Sequence, residues 1–294
     1  MRGELLVYID GKYVRESEAR VSVFDHSFLY GDGVFEGVRV EDGGIFALEE
    51  HVERLYKSAA CIRLQVPMQK EEMKIILKDV VRKNDLRDGY IRPLLSRGVG
   101  PMGIARMREL RSPSFLVIPQ FRPEASRELW GKGMHAKVVS VRRNHPQCLD
   151  PRIKANQYLN NILALYEAWD AGAEVAIMLD LEGYVSECNA ENIFIVGDET
   201  LYTPGVTNTL DGITRNKVLT IAKEQGIPAL EKNLTTYDLY TADEVFATGS
   251  LSLVEPLTRI DGRPIGTGEP GPMTKTVAEL LREKLRKESA KVFV

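Results

Sequence analysis

The period of the apolar residues changes twice in the first 120 positions, and this limits the folds open to the chain. Leu5 to Ile9 and Tyr13 to Val14 flank Asp10-Gly11, a short-range signal for a tight hairpin. After Gly43-Gly44 the spacing turns helical, through Leu48, Val52, Leu55, Ala59 and Ile62, then through Met73, Ile76, Leu77, Val80 and Val81. Tyr90 to Ser96 and Ser114 to Ile118 return to strand-like runs. Strands wrapped around two amphipathic helices predict an α+β layer structure for this half.

Residues 119–133 carry Pro119, Pro123, Gly131 and Gly133 among polar residues without a sustained period. They predict a linker between a small domain at 1–118 and a larger α/β domain at 134–294. In the larger part Ala136 to Val141 reads as a strand, and Leu159, Ile162, Leu163, Tyr166 and Trp169 share one face of a helix ending near Gly172. Val175 to Leu179, Tyr184 to Ser186, Ile193 to Val196 and Leu201 to Thr203 read as one meander. A helix from about Arg215 to Gln225, a strand at Glu244 to Ala247, a hairpin at Asp261-Gly262 and a C-terminal helix from Pro272 complete it. There is no internal repeat.

Length agrees, because 294 residues at roughly 150 per domain suggest two domains. The 39 Lys and Arg against 42 Asp and Glu give a net charge of −3, with no basic excess to neutralise phosphates, so nucleic acid is not an expected partner. Cys61, Cys148 and Cys188 are dispersed and form no CxxC pair. The N-terminal stretch lacks signal-peptide regions, and no apolar run approaches the roughly 18 to 20 residues that span a bilayer. A cytoplasmic protein without a membrane partner is expected.

His26, His51, His135 and His145 never fall at i, i+4, so a zinc site is not expected. Gly31-Asp32-Gly33 lacks the third glycine of a dinucleotide fingerprint and runs into a strand. Two turns are friendlier to anions. Gly212-Ile213-Thr214 precedes a helix, whose N-terminal N–H groups suit a phosphate, and Thr248-Gly249-Ser250 follows an apolar strand. Each is also an ordinary helix cap or turn.

The motifs go further together. Tyr30-Gly31-Asp32-Gly33-Val34-Phe35-Glu36-Gly37-Val38-Arg39, His51-Val52-Glu53-Arg54-Leu55 and Tyr90-Ile91-Arg92-Pro93-Leu94 come first in the chain. Ile153-Lys154, Tyr158-Leu159-Asn160-Asn161, Gly183-Tyr184-Val185-Ser186-Glu187, Glu191-Asn192-Ile193-Phe194, Asp211-Gly212-Ile213-Thr214-Arg215 and Ala242-Asp243-Glu244-Val245-Phe246 follow. In this order they resemble the class IV pyridoxal-phosphate (PLP) aminotransferases, most of all the branched-chain amino acid enzymes. The resemblance spans nearly the whole chain. It implies the D-amino acid aminotransferase-like PLP fold, an α+β N-terminal domain plus a larger α/β pseudo-barrel domain.

It also implies roles. Lys154 would form the Schiff base with PLP and shuttle the proton at the substrate Cα, where an isolated lysine would be read as a solvated surface charge. Glu187 would pair with the pyridine nitrogen. Arg54, Ile213, Thr214 and Ser250, with Gly212 and Gly249 giving close backbone approach, would form the phosphate cup; the plain alternative for Arg54 is a helix-surface pair with Glu50 or Glu53. Leu210 would pack on the cofactor ring and Tyr158 would reach its phenolic oxygen, four residues after Lys154 where some relatives have five.

For the substrate, Phe35, Tyr90 and Arg92 correspond to pocket residues, with Tyr30 entering from the neighbouring subunit of a homodimer or a multiple of dimers. Aromatic walls suit an apolar side chain, although core packing is the plain reading of Phe35 and Tyr90. Arg92 offers a counter-charge to a second carboxylate; buried without such a guest it would be costly, which predicts a dicarboxylate acceptor. Gly249-Ser250-Leu251-Ser252-Leu253 stands where many branched-chain enzymes have Gly-Thr-Ala-Ala-Glu. Backbone N–H groups at Ser250 and Leu251 remain for an α-carboxylate, and Leu251 and Leu253 favour apolar donors. The expected reaction is transamination between branched-chain L-amino acids and 2-oxoglutarate, as amino donors and 2-oxo acid acceptors. An (R)-selective amine or D-amino acid transaminase, an aminodeoxychorismate lyase-like enzyme and a cofactor-free binding protein are the alternatives.

Overall fold

Asp10 and Gly11 both take positive φ, 45° and 88°, and between them they turn β1 (Leu6–Ile9) back onto β2 (Lys12–Arg15). The computed structural model describes residues 4–110, 112–121 and 132–293. Contacts group the chain into two units, Met1–Arg122 with Ile153–Gln157 and Leu285–Val294, then Pro123–Arg152 with Tyr158–Lys284.

In the first unit α1 (His26–Tyr30), β3 (Gly33–Phe35), β4 (Val38–Glu41), β5 (Gly44–Ile45), α2 (Leu48–Cys61), α3 (Lys70–Lys83), β6 (Gly89–Ser96) and β7 (Ser114–Phe121) follow the hairpin. The sheet is antiparallel and runs from the C-terminal strand Ala290–Lys291 through β5, β4, β6, β7 and β1 to β2, with β3 also on β6. Val52 and Leu55 of α2 and Met73, Leu77, Val80 and Val81 of α3 share a core with Ile91, Leu95, Phe115 and Val117 of the sheet. Each such side chain contributes roughly 1.5–3 kcal/mol on burial. Along β6 the alternation sends Ile91 and Leu95 inward and puts Tyr90 and Arg92 on the other face.

The segment expected to begin a linker at Pro119 instead completes β7, whose register with β6 reaches Phe121; the rest of that expectation, 122–131, lies outside the described residues. Nor do the units follow one cut. Phe35 N–H donates to Lys154 O at 3.0 Å, Asn156 N–H donates to Gly33 O at 2.9 Å, and Val34 bridges Ala155, so 153–157 runs beside β3 in the first unit.

The second unit contains β8 (Met134–Val138), α4 (Pro146–Leu149), α5 (Leu159–Asp170), β9 (Val175–Leu179), β10 (Val185–Cys188), β11 (Asn192–Gly197) and β12 (Thr200–Thr203). There follow α6 (Ile213–Gln225), β13 (Ala229–Glu231), α7 (Thr236–Thr241), β14 (Glu244–Gly249), β15 (Leu253–Ile260), β16 (Arg263–Pro264) and α8 (Pro272–Glu288), whose residues from Leu285 belong to the first unit. Its sheet is mixed, in the order β10-β9-β8-β15-β14-β11-β12-β13, with β8 parallel to β9 and to β15. The strands expected as one meander are thus two hairpins at opposite ends of that order. Turn residues specify hairpins locally, whereas the pairing of β11 with β14 and of β8 with β15 depends on partners far along the chain.

Candidate active site

Site residues in the first unit are set out by β3, α2, β6 and the 153–157 strip. On α2, His51, Arg54 and Ser58 succeed one another at i, i+3 and i+7 on one face. Ser58 Oγ accepts from Lys154 N–H at 3.2 Å. Glu36, directly after β3, is fully buried. Its carboxylate accepts from Arg54 Nε–H at 2.7 Å, from Arg54 Nη2–H at 2.7 Å and from the His51 ring at Nδ1 at 2.8 Å. Burial pushes the Glu36 carboxyl up, but the charge and hydrogen bond of Arg54 and the His51 hydrogen bond outweigh it and hold it well below the usual carboxylate range. His51 is pushed down, chiefly by burial, against the raising pull of Glu36. The Arg54 guanidinium therefore faces inward on Glu36, while Glu53 of the same helix pairs with Lys70.

Lys154 is half-buried, with Nζ 4.8 Å from the centroid of the Phe35 ring, and the Arg92 guanidinium lies 4.8 Å from the same centroid and 5.8 Å from that of Tyr90. An amine, an aromatic wall and a guanidinium thus meet around one side chain. Arg92 is exposed, so, contrary to the expectation, no cost of burial calls for a carboxylate guest; its guanidinium lies against the Phe35 and Tyr90 rings. A Cβ at Gly37 would stand 1.9 Å from the Tyr90 hydroxyl, so that glycine lets Tyr90 lie against the backbone. Tyr30 is exposed, and its hydroxyl accepts from Gly103 N–H at 2.8 Å.

In the second unit Glu187 sits buried in β10 and accepts from Arg143 Nε–H at 2.6 Å, from Leu210 N–H at 2.9 Å and from Asn192 Nδ2–H at 3.4 Å. Asn192 also donates to Leu210 O at 2.9 Å, so the Leu210 backbone brackets the carboxylate. Gly212 caps α6, leaving the first N–H groups of Ile213 and Thr214 at the helix start. Its missing side chain is needed, since a Cβ there would fall 1.8 Å from Asn192 Oδ1.

Two hydroxyls in this unit, Thr214 Oγ1 and Thr248 Oγ1, are buried with no hydrogen-bond partner among the described residues. Buried hydroxyls without partners are costly, and together with a helix start they fit an anion such as a phosphate. Gly249, the last residue of β14, and Ser250 after it are half-buried, Leu251 is exposed, and Tyr158 is half-buried as the cap of α5. Leu253, expected to tune donor choice, is instead a core residue of the second unit at the start of β15. Among the described residues no three or more His, Cys, Asp or Glu gather as metal ligands, and no helix is long and apolar enough to cross a membrane.

The model of the family "Amino-transferase class IV" matches residues 33–260. The chain belongs to the class IV aminotransferases. A putative branched-chain-amino-acid aminotransferase of Methanocaldococcus jannaschii is 44% identical over 288 residues, 98% of this chain and 99% of that protein. The branched-chain-amino-acid aminotransferase of Escherichia coli K12 is 36% identical over 279 residues, 93% and 90% of the two chains. The T.th. branched-chain amino acid aminotransferase superposes with a TM-score of 0.93 in its pyridoxamine 5'-phosphate complex and 0.92 in its N-(5'-phosphopyridoxyl)-L-glutamate complex, at 35% identity and full coverage of both chains.

Within this aminotransferase, Arg143, Asn192, Glu36 and His51 make contacts that no role assigned from the sequence anticipates. Arg143 carried no motif at all, and only its 2.6 Å contact with Glu187 identifies it. Thr248 is legible in an anion-friendly turn, while Asn192, Glu36 and His51 stand inside family motifs that assign them no purpose.

Proposed function

We propose that this aminotransferase transfers the amino group of branched-chain L-amino acids to 2-oxoglutarate, using PLP. The observation that carries the reading is the Lys154, Phe35 and Arg92 cluster, in which the amine and a guanidinium able to pair with a carboxylate stand against one apolar ring. PLP supplies a carbonyl for the amino group and an electron-accepting ring that makes the substrate Cα–H acidic. Lys154 Nζ would hold the cofactor and move the proton at Cα. Glu187 would hold a proton at the ring nitrogen, and Arg143, Asn192 and the Leu210 N–H keep that carboxylate in place. Phosphate would suit Arg54 in the first unit and, in the second, the N–H groups of Ile213 and Thr214, Ser250, and the Thr214 and Thr248 hydroxyls that have no partner among the described residues. Gly212 and Gly249 would let backbone approach it, Leu210 would pack on the ring, and Tyr158 would reach the phenolic oxygen. Phe35 and Tyr90 receive the aliphatic side chain, Arg92 the second carboxylate of glutamate or 2-oxoglutarate, and the Ser250 and Leu251 N–H groups the α-carboxylate.

Names of the relatives support the branched-chain substrate, and the glutamate adduct of the T.th. enzyme supports the second donor. The enzyme acts as a cytoplasmic homodimer or a multiple of it, with Tyr30 serving the neighbouring site. Support for assembly comes from the exposure of Val21, Val23, Phe24 and Phe28 in the segment leading to Tyr30. Borohydride reduction of the yellow holoenzyme followed by peptide mapping tests the lysine: label on the Lys154 peptide is expected, and label on another lysine removes Lys154 from the mechanism. Sedimentation tests the assembly, which an active monomer would refute.

A further inference from the structure

We propose that Glu36 and His51 are positioning residues for the cofactor's phosphate, acting through Arg54. This rests on the reading of Arg54 as a phosphate ligand. A carboxylate close to a phosphate-binding arginine is electrostatically unhelpful to the anion, so its presence there calls for a reason. Geometry supplies one. Glu36 takes Nε–H and Nη2–H of Arg54 side-on, both at 2.7 Å, and such a planar fork fixes the guanidinium plane and turns its opposite edge, at Nη1, away from Glu36. An arginine otherwise has many rotamers to lose when it meets a ligand. Held in this way, Arg54 meets the anion already ordered.

His51 completes the arrangement. Glu36, held below the usual carboxylate range, is an acceptor, so the bond at His51 Nδ1 is a donated N–H and the neutral ring keeps a bare Nε2. That Nε2 is buried and has no partner among the described residues. A neutral imidazole fixes the Glu36 oxygen shared with Arg54 without competing as a second cation. Side chains of all three residues are buried or nearly so, with Arg54 the most exposed at 12%. A purely structural ion cluster would have the same contacts but no preference for phosphate, and this difference is measurable.

The test compares the dissociation constants of PLP and of pyridoxal, which lacks the phosphate, on the full-length chain stripped of cofactor. For Glu36→Gln we expect PLP to weaken about tenfold or more, the scale of a lost charge-assisted pair, with pyridoxal changed less than about twofold. His51→Leu, which keeps the Arg54 and Glu36 pair but removes its N–H brace, should weaken PLP about threefold to tenfold, and His51→Asn, which retains an N–H donor, should restore most of it. Equal losses for PLP and pyridoxal in these variants, or no loss, overturn the proposal. If Glu36→Gln does not fold, the contrast between His51→Leu and His51→Asn decides alone. Arg54→Lys is the control on the underlying reading: a non-selective loss there refutes Arg54 as phosphate ligand, whereas a selective loss there beside non-selective Glu36 and His51 variants refutes only the positioning role.

Discussion

Glu187 shows what a single residue contributes and how far sequence could reach it. Its carboxylate was identifiable from the Val185-Ser186-Glu187 motif, but the three donors that hold it come from Arg143, Asn192 and Leu210, and no local pattern ties those positions together. Replacing it by glutamine keeps size and some hydrogen bonding but removes the charge that, in the proposed reading, would compensate a protonated ring nitrogen. We predict that Glu187→Gln lowers kcat by about a hundredfold or more while KM changes little, as expected for a group whose interaction matters most in the transition state. Steady-state kinetics on L-leucine and 2-oxoglutarate check this, and unchanged turnover would take Glu187 out of the mechanism. Leu253 shows the opposite case. Its apolar side chain beside the altered turn invited a role in substrate choice, yet it is buried at the head of β15 with φ 67°, a conformation that costs a leucine energy and is held by its surroundings.

Among the elements, β3 does the most positioning. It pairs with β6 on one side and with the 153–157 strip on the other, so the backbone that presents Phe35 also sets the backbone of Lys154. Gly33 makes this possible, because a Cβ there would stand 2.4 Å from Asn156 Nδ2 and 2.6 Å from Leu95 O. Gly33→Ala should destabilise the protein by about 1–3 kcal/mol, the usual range for overpacking, and should lower the fraction of protein that retains the visible cofactor band. Denaturant titration and an absorbance spectrum read the two effects, and a variant with the native band and native stability would refute this view of β3. Helix α5 marks a limit of periodicity. The stripe of Leu159, Ile162, Leu163, Tyr166 and Trp169 located the helix, but those residues are exposed, and Asn161, Ala164 and Ala168 face inward. Small side chains allow close packing against a strand, and a hydrophobic pattern weights large residues over them. The same stripe and Val21, Val23, Phe24 and Phe28 are exposed apolar surface, which the proposed assembly would cover.

For the molecule as a whole, the α+β start, the helices of the first unit and the order of the motifs were legible, since each is written in local spacing. The discontinuous first unit and the order of the second sheet were not, because they depend on hydrogen bonds between residues more than a hundred positions apart, such as Phe35 to Lys154. The buried Glu36 and His51 pair also gives the whole protein a pH response. Both folded-state values are lowered, so both groups add stability above their ordinary values of 4.5 and 6.5 and lose it as pH falls toward the folded ones. We expect stability in denaturant titrations to decline first below about pH 6.5 and again below about pH 4.5, and His51→Asn to remove the first decline. A first decline that persists in His51→Asn would assign it to other groups. Most direct for the central claim is the half-reaction of the holoenzyme, followed by loss of the visible cofactor band on adding amino donor and its return on adding 2-oxoglutarate. L-leucine, L-isoleucine, L-valine and L-glutamate should each react faster than D-alanine or (R)-1-phenylethylamine, and Lys154→Ala should show no turnover with any of them. If (R)-1-phenylethylamine outruns every L-amino acid, or if Lys154→Ala reacts at the native rate, the account is contradicted.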